Sequence, residues 1–224
     1  MIEAVYVGTL APLLFLLLVL KEENRRLILF LLWGLTAALA AYYLNAILRD
    51  ALRISTEEES RRVAPVVEEL LKAAPLFLYL FSRKSDRSYE AVRNGLAVGI
   101  GFSILENVAY LTVSAPHGLR SVFGFIVLRS LSACLFHGAA TALTGYVVRQ
   151  MRLYRLGSPL LALGVLATAI MSHGIFNAIA SIPSAWFACV LVPAALFAIE
   201  LWTWNIFGRK SSSLPPSIAE GAMK

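Results

Sequence analysis

Charge is scarce in this sequence. Only 15% of its 224 residues are Asp, Glu, Lys or Arg, against 58% hydrophobic ones, and the mean hydropathy is +0.72. Such scarcity excludes a soluble domain with a solvated surface and points to a chain whose solvent is largely lipid. No polar stretch is long enough to fold by itself, so residues 1–207 are expected to form a single bundle. Cysteine is almost missing as well. Cys134 and Cys189 lie inside apolar runs with no CxxC or CxxH spacing, so they read as packing residues and leave the redox compartment open. No small-residue cleavage site follows Leu20, and the acidic start Met-Ile-Glu is unlike a signal peptide, so the first apolar run is expected to stay as a span. No internal repeat is apparent, which weighs against a carrier built from repeated halves.

What the chain does have is a series of apolar runs with polar breaks. Seven helices are predicted, over roughly Ile2–Leu20, Leu27–Leu48, Val63–Phe81, Ala91–Val113, Ser121–Val148, Ser158–Ser181 and Ser184–Phe207. The fold class is therefore all-α, a polytopic transmembrane helix bundle of about seven helices. The stretch Gly208–Lys224, with the run Ser211-Ser-Ser213 and Pro215-Pro216, predicts a disordered tail. Net charge is +6, but the basic residues sit in short loops, where topology and anionic headgroups account for them without nucleic acid. With the N-terminus outside, the inner segments carry 13 Lys or Arg and the outer ones 5, so N-out, C-in is expected, with the tail cytoplasmic. The segment 49–62, with Arg49, Arg53, Arg61 and Arg62, is the exception, tempered by Asp50, Glu57, Glu58 and Glu59. Ser55 or Thr56 is expected to cap a helix start there.

Within the apolar runs, a few ionisable groups stand out. Glu106 lies well inside the run 95–113, at a cost of roughly 2.5–3.5 kcal/mol on insertion scales, and so reads as functional by default. Phe102, Glu106 and Tyr110 are four apart and share a helical face. The third helix carries Glu68, Glu69 and Lys72. One reading is a surface i,i+4 pair of Glu68 with Lys72; the other is a desolvated carboxylate that takes a proton from water. Pro75 follows and is expected to loosen the helix. His137, Thr141 and Gly145 share a face, suited equally to close helix packing and to chemistry. His173 and Asn177 are a further i,i+4 pair, fit for an interhelical clamp or for holding an oxyanion. The predicted orientation places all four clusters in the outer third of the bilayer, with Arg129 snorkelling to the outer interface. Gathered in one place, they suffice for hydrolysis of an acyl bond.

The order Glu68-Glu69-x-x-Lys72, then Phe102-x-x-x-Glu106-Asn107-x-x-Tyr110, then His137 with Gly145 eight later, then His173-x-x-x-Asn177, resembles the PrsW family of intramembrane proteases. That family is related to the type II CAAX prenyl endopeptidases and the wider Abi group. The resemblance covers residues 68 to 177, so the catalytic core is expected within 63–181. It implies an endopeptidase in the cell membrane that cuts a membrane-anchored protein near the extracytoplasmic face, an anti-sigma factor if the source is bacterial. Glu68 or Glu69 would then activate water, His173 and Asn177 would stabilise the oxyanion, and Glu106 and His137 would complete the site. Lys72, Phe102, Asn107, Tyr110 and Gly145 would support it.

No His-Glu-x-x-His occurs, which sets aside the usual zinc protease pattern. Metal-free glutamate catalysis is the expectation, with Zn²⁺ on Glu106, His137 and His173 as its alternative. A different class, a non-catalytic scaffold akin to a gamma-secretase subunit, is opposed by the presence of both Glu68-Glu69 and Asn177.

Overall fold

The computed structural model of the chain describes residues 22–80, 88–114, 119–153, 159–185 and 187–199, with residues 2, 6, 13, 14 and 20 before them. Within these residues the secondary structure is helical, without strands. In chain order the helices are α1 (Glu22–Leu52), α2 (Thr56–Glu58), α3 (Ala64–Leu80), α4 (Ser88–Ser114), α5 (Leu119–Arg129), α6 (Leu135–Leu153), α7 (Pro159–Ala180) and α8 (Phe187–Ile199). Among the described residues, four stretches are long and apolar enough to cross a membrane: Asn24–Leu52, Glu90–Thr112, Val122–Met151 and Leu160–Ala180. The predicted first helix falls outside the described residues except for a few positions, and the tail 208–224 lies wholly outside them.

The predicted polar loop 49–62 proves to be mostly helical. α1 runs on to Leu52, stopped by Arg53 in the left-handed region (φ 54°), with Arg53 and Ile54 amides bonding back to the Asp50 and Arg49 carbonyls. Ser55 then accepts from the Glu58 amide at 3.1 Å and starts the next helix, which was one of the two expected caps. Only three residues separate α1 from α2, and α3 folds back to pack against α1. α3 runs through Pro75 without a break.

Two single π-helical turns interrupt the rods, Glu59–Val63 before α3 and Ser130–Cys134 between α5 and α6. A π turn shifts the side-chain register and leaves carbonyls to be satisfied from elsewhere. Asn177 Nδ2 donates to the Ser60 carbonyl at 2.8 Å, and Ser103 Oγ to the Ala133 carbonyl at 3.5 Å. Each turn is thereby tied to a neighbouring helix just ahead of a functional side chain.

α4 is the central rod, packed against α1 on one side and α6 on the other. Small residues make this possible. A Cβ on Gly34 or Gly101 would strike the facing carbonyls of Val98 or Leu31 between α1 and α4. Between α4 and α6, Gly95, Gly99 and Gly145 stand against the Thr141, His137 and Ala91 carbonyls in the same way. Leu35, Ala38, Ala41, Phe102 and Leu105 form one buried cluster, and Phe30, Leu76, Ala97 and Val98 another. α3 packs against α1, α6 and α7, so its polar face is turned into the bundle.

Candidate active site

α3 supplies Glu68, Glu69 and Lys72, all buried, with Lys72 at 0% exposure. The i,i+4 partnership of Glu68 with Lys72 does not form. Lys72 Nζ stands 2.5 Å from Glu69 Oε1 and 2.9 Å from His137 Nδ1, with Phe102 beneath it at 4.7 Å. The reason lies across the helix interface: α6 presents His137 on the side of Glu69, and a buried ammonium needs every acceptor within reach. Glu68 faces α1 instead, where Asn45 Nδ2 donates to its Oε1 at 3.3 Å.

α4 brings Glu106 to the same level. Its Oε2 lies 3.1 Å from His137 Nε2 and 3.1 Å from the Arg129 guanidinium. Arg129 does not snorkel to the interface. Its side chain is 17% exposed, donates from Nε to Asn107 Oδ1 at 2.9 Å, and lies over the Tyr110 ring at 3.6 Å. A carboxylate, an amide and an aromatic face along one side of α4 offer a guanidinium more than headgroups do.

α7 adds His173, whose Nδ1 is 2.8 Å from Glu69 Oε1. An ionised carboxylate only accepts, so Nδ1 carries the proton and Nε2 presents its lone pair. That lone pair is aimed at Glu68 Oε2, 3.7 Å away. Both atoms are buried and have no hydrogen-bond partner among the described residues. Two acceptors facing each other call for a donor with two protons, or a cation, between them.

The metal question can be put to these atoms. Glu68, His137 and His173 offer donor atoms that all lie within 4.8 Å of one another. Glu69 on His173 Nδ1 is the carboxylate–imidazole arrangement that orients a ligand. The set therefore fits a divalent ion, provided His137 releases Lys72 or Glu106. It differs from the expected set of Glu106, His137 and His173, because Arg129 holds Glu106 back.

A cavity of about 410 Å³ adjoins these groups, lined by Ala38, Ala41, Tyr42, Asn45 and Arg49 of α1, Glu59 and Ser60 of the first π turn, Glu68 of α3, Glu106 and Tyr110 of α4, and Asn177 of α7. Asn177 spends one N–H on Ser60 and keeps a second. Of the sequence-predicted residues, the structure joins Glu68, Glu69, Lys72, Phe102, Glu106, Asn107, Tyr110, His137, His173 and Asn177 in one region. Gly145 is placed elsewhere, two turns along α6 from His137, and only spaces helices. Two residues were missed. Arg129 was visible as a charge within a span, but its direction was not. Asn45 is an amide on an otherwise motif-free helix, and its one signal is a shared face with Ala38, Ala41 and Arg49.

Comparison with known proteins supplies the rest. No curated protein and no solved structure matches the chain. Residues 22–203 match the PrsW family intramembrane metalloprotease, which takes in every helix of the site. A multi-pass integral membrane protein with this site and this match is a membrane protease, and the chain belongs to the PrsW family.

Proposed function

We propose that the protein is an endopeptidase that cuts a membrane-anchored protein near the extracytoplasmic face, with Glu68 as the base that activates water. The observation that carries this is the pair of facing acceptors, Glu68 Oε2 and His173 Nε2, buried 3.7 Å apart beside the cavity. Water held between them has both protons engaged and its lone pairs free for a substrate carbonyl. As the water oxygen bonds to the carbonyl carbon, one proton passes to Glu68. The tetrahedral intermediate then collapses, the C–N bond breaks, and Glu68 returns that proton to the leaving amine. Glu69 positions His173 through Nδ1, and Lys72 balances the Glu69 charge. The spare N–H of Asn177 supports the oxyanion. Glu106, anchored by Arg129, fixes the His137 ring.

Metal-free catalysis is the first reading because Lys72 and Glu106 engage both nitrogens of His137, which leaves two free donors rather than three. The family description and the grouping of Glu68, His137 and His173 favour a second reading, in which those residues hold a divalent ion. Such an ion would act as a Lewis acid and lower the pKa of water.

Membrane-protein fragments compared between cells carrying wild-type and Glu68→Gln protein test the function. Fragments that vanish with Glu68→Gln are the expected result; an unchanged fragment pattern rejects the assignment. Elemental analysis of active, purified protein separates the two readings. The first expects less than one bound ion and activity that survives chelation. A stoichiometric ion lost together with activity, and restored with it, establishes the second.

A further inference from the structure

We propose that Asn45 is a substrate-binding residue whose Oδ1 accepts a main-chain N–H from a locally unwound stretch of the substrate. The inference rests on the peptidase reading above and deepens it. Asn45 belongs to α1, is 9% exposed, and lines the cavity. Its Nδ2 donates to Glu68 Oε1 at 3.3 Å. That contact settles which way the amide points, because the carboxylate oxygen accepts and the NH₂ group must face it. Oδ1 is therefore directed away from Glu68, and it has no hydrogen-bond partner among the described residues.

An interhelical clamp would have both ends of the amide satisfied, since a buried acceptor without a donor is costly. Here one end holds the base and the other, buried at the cavity wall, is left without a donor. Ala38 and Ala41, on the same face of α1, keep the wall beside it low.

The missing donor has a definite chemistry. A substrate anchored by a membrane helix keeps its N–H groups bonded to its own carbonyls, and those groups have nothing to offer Oδ1. A short extended stretch, by contrast, carries free N–H groups that an intact helix does not. Asn45 thus rewards unwinding at the position where Glu68 acts.

The test is a cycle between enzyme and peptide. A fragment that depends on Glu68 in the cell comparison defines the cut, and a synthetic peptide spanning it is the probe. Each amide flanking the scissile bond is replaced in turn by an ester, which removes one N–H. Purified full-length wild-type protein and Asn45→Leu are assayed on each peptide. For the wild type, one ester position is expected to lower kcat/KM about tenfold or more. Asn45→Leu is expected to be slower on the all-amide peptide and to lose nothing further with that ester. Asn45→Gln keeps both an N–H for Glu68 and an acceptor oxygen and should keep the ester sensitivity, which guards against a variant that merely folds poorly. Equal ester sensitivity in wild type and Asn45→Leu, or no sensitive position in the wild type, overturns the inference and leaves the peptidase reading intact. If no fragment depends on Glu68, the peptidase reading fails and this inference falls with it.

Discussion

Lys72 pairs with Glu69 three residues earlier, not with Glu68 four residues earlier, and the ammonium is completely buried at 2.5 Å from its partner. This single choice separates the two neighbouring carboxylates. Glu69 is neutralised by Lys72 and spends its oxygen on His173, while Glu68 keeps an unpartnered oxygen for chemistry.

Stability and activity should therefore part company at positions 68 and 69. Glu69→Gln leaves a buried ammonium without its counter-ion and is expected to destabilise the protein by about 3–5 kcal/mol. Glu69→Gln combined with Lys72→Met should recover most of that stability but none of the cleavage. Glu68→Gln should abolish cleavage with little change in the thermal midpoint. Melting curves in detergent alongside a cleavage assay read all three; a Glu68→Gln protein that melts like Glu69→Gln would contradict the division of roles.

Arg129 anchors Glu106, and through it the His137 ring. Arg129→Leu is expected to lower activity by about ten- to a hundredfold, the usual effect of losing a group that orients the first layer of a site. Arg129→Lys should restore only part of it, because the bond to Asn107 and the stacking on Tyr110 need the planar guanidinium. Full activity in Arg129→Leu would return this residue to the membrane interface.

Gly99→Ala forces a methyl group against the His137 carbonyl and must push α4 and α6 apart at the site. A loss of about 1–3 kcal/mol, accompanied by loss of activity, is expected. Gly164→Ala has open space around it in α7 and should gain about 0.5–1 kcal/mol from helix propensity. Equal melting temperatures for the two variants would contradict the close packing.

Glu59 offers a pH test outside the membrane-spanning segments. Burial raises its carboxyl above the usual carboxylate range, and Arg49 offsets only part of that. The folded state therefore holds this proton more tightly than the unfolded one, and stability is lost as pH rises from the unfolded pKa through the folded one. Glu59→Gln should raise the thermal midpoint at neutral pH, with a gain that disappears on acidification to about pH 4. A gain of equal size at both ends of that range would assign the effect to something other than this ionisation.

Much of this protein is legible along the chain. Scarce charge and long apolar runs determine a helical membrane bundle, because lipid tolerates no unsatisfied backbone. The spacings Glu68-Glu69-x-x-Lys72, Phe102-x-x-x-Glu106 and His173-x-x-x-Asn177 determine which side chains share a helical face, because helical period alone does that. Periodicity says nothing about what lies across an interface. Tertiary structure decided that Lys72 takes Glu69, that Arg129 turns inward to Glu106, and that Asn45 of α1 reaches Glu68. Each of these is a competition among partners from different helices. The winner depends on how close the small residues of α1, α4 and α6 let the backbones come, and on the register shifts of the two π turns, which no spacing within one helix records.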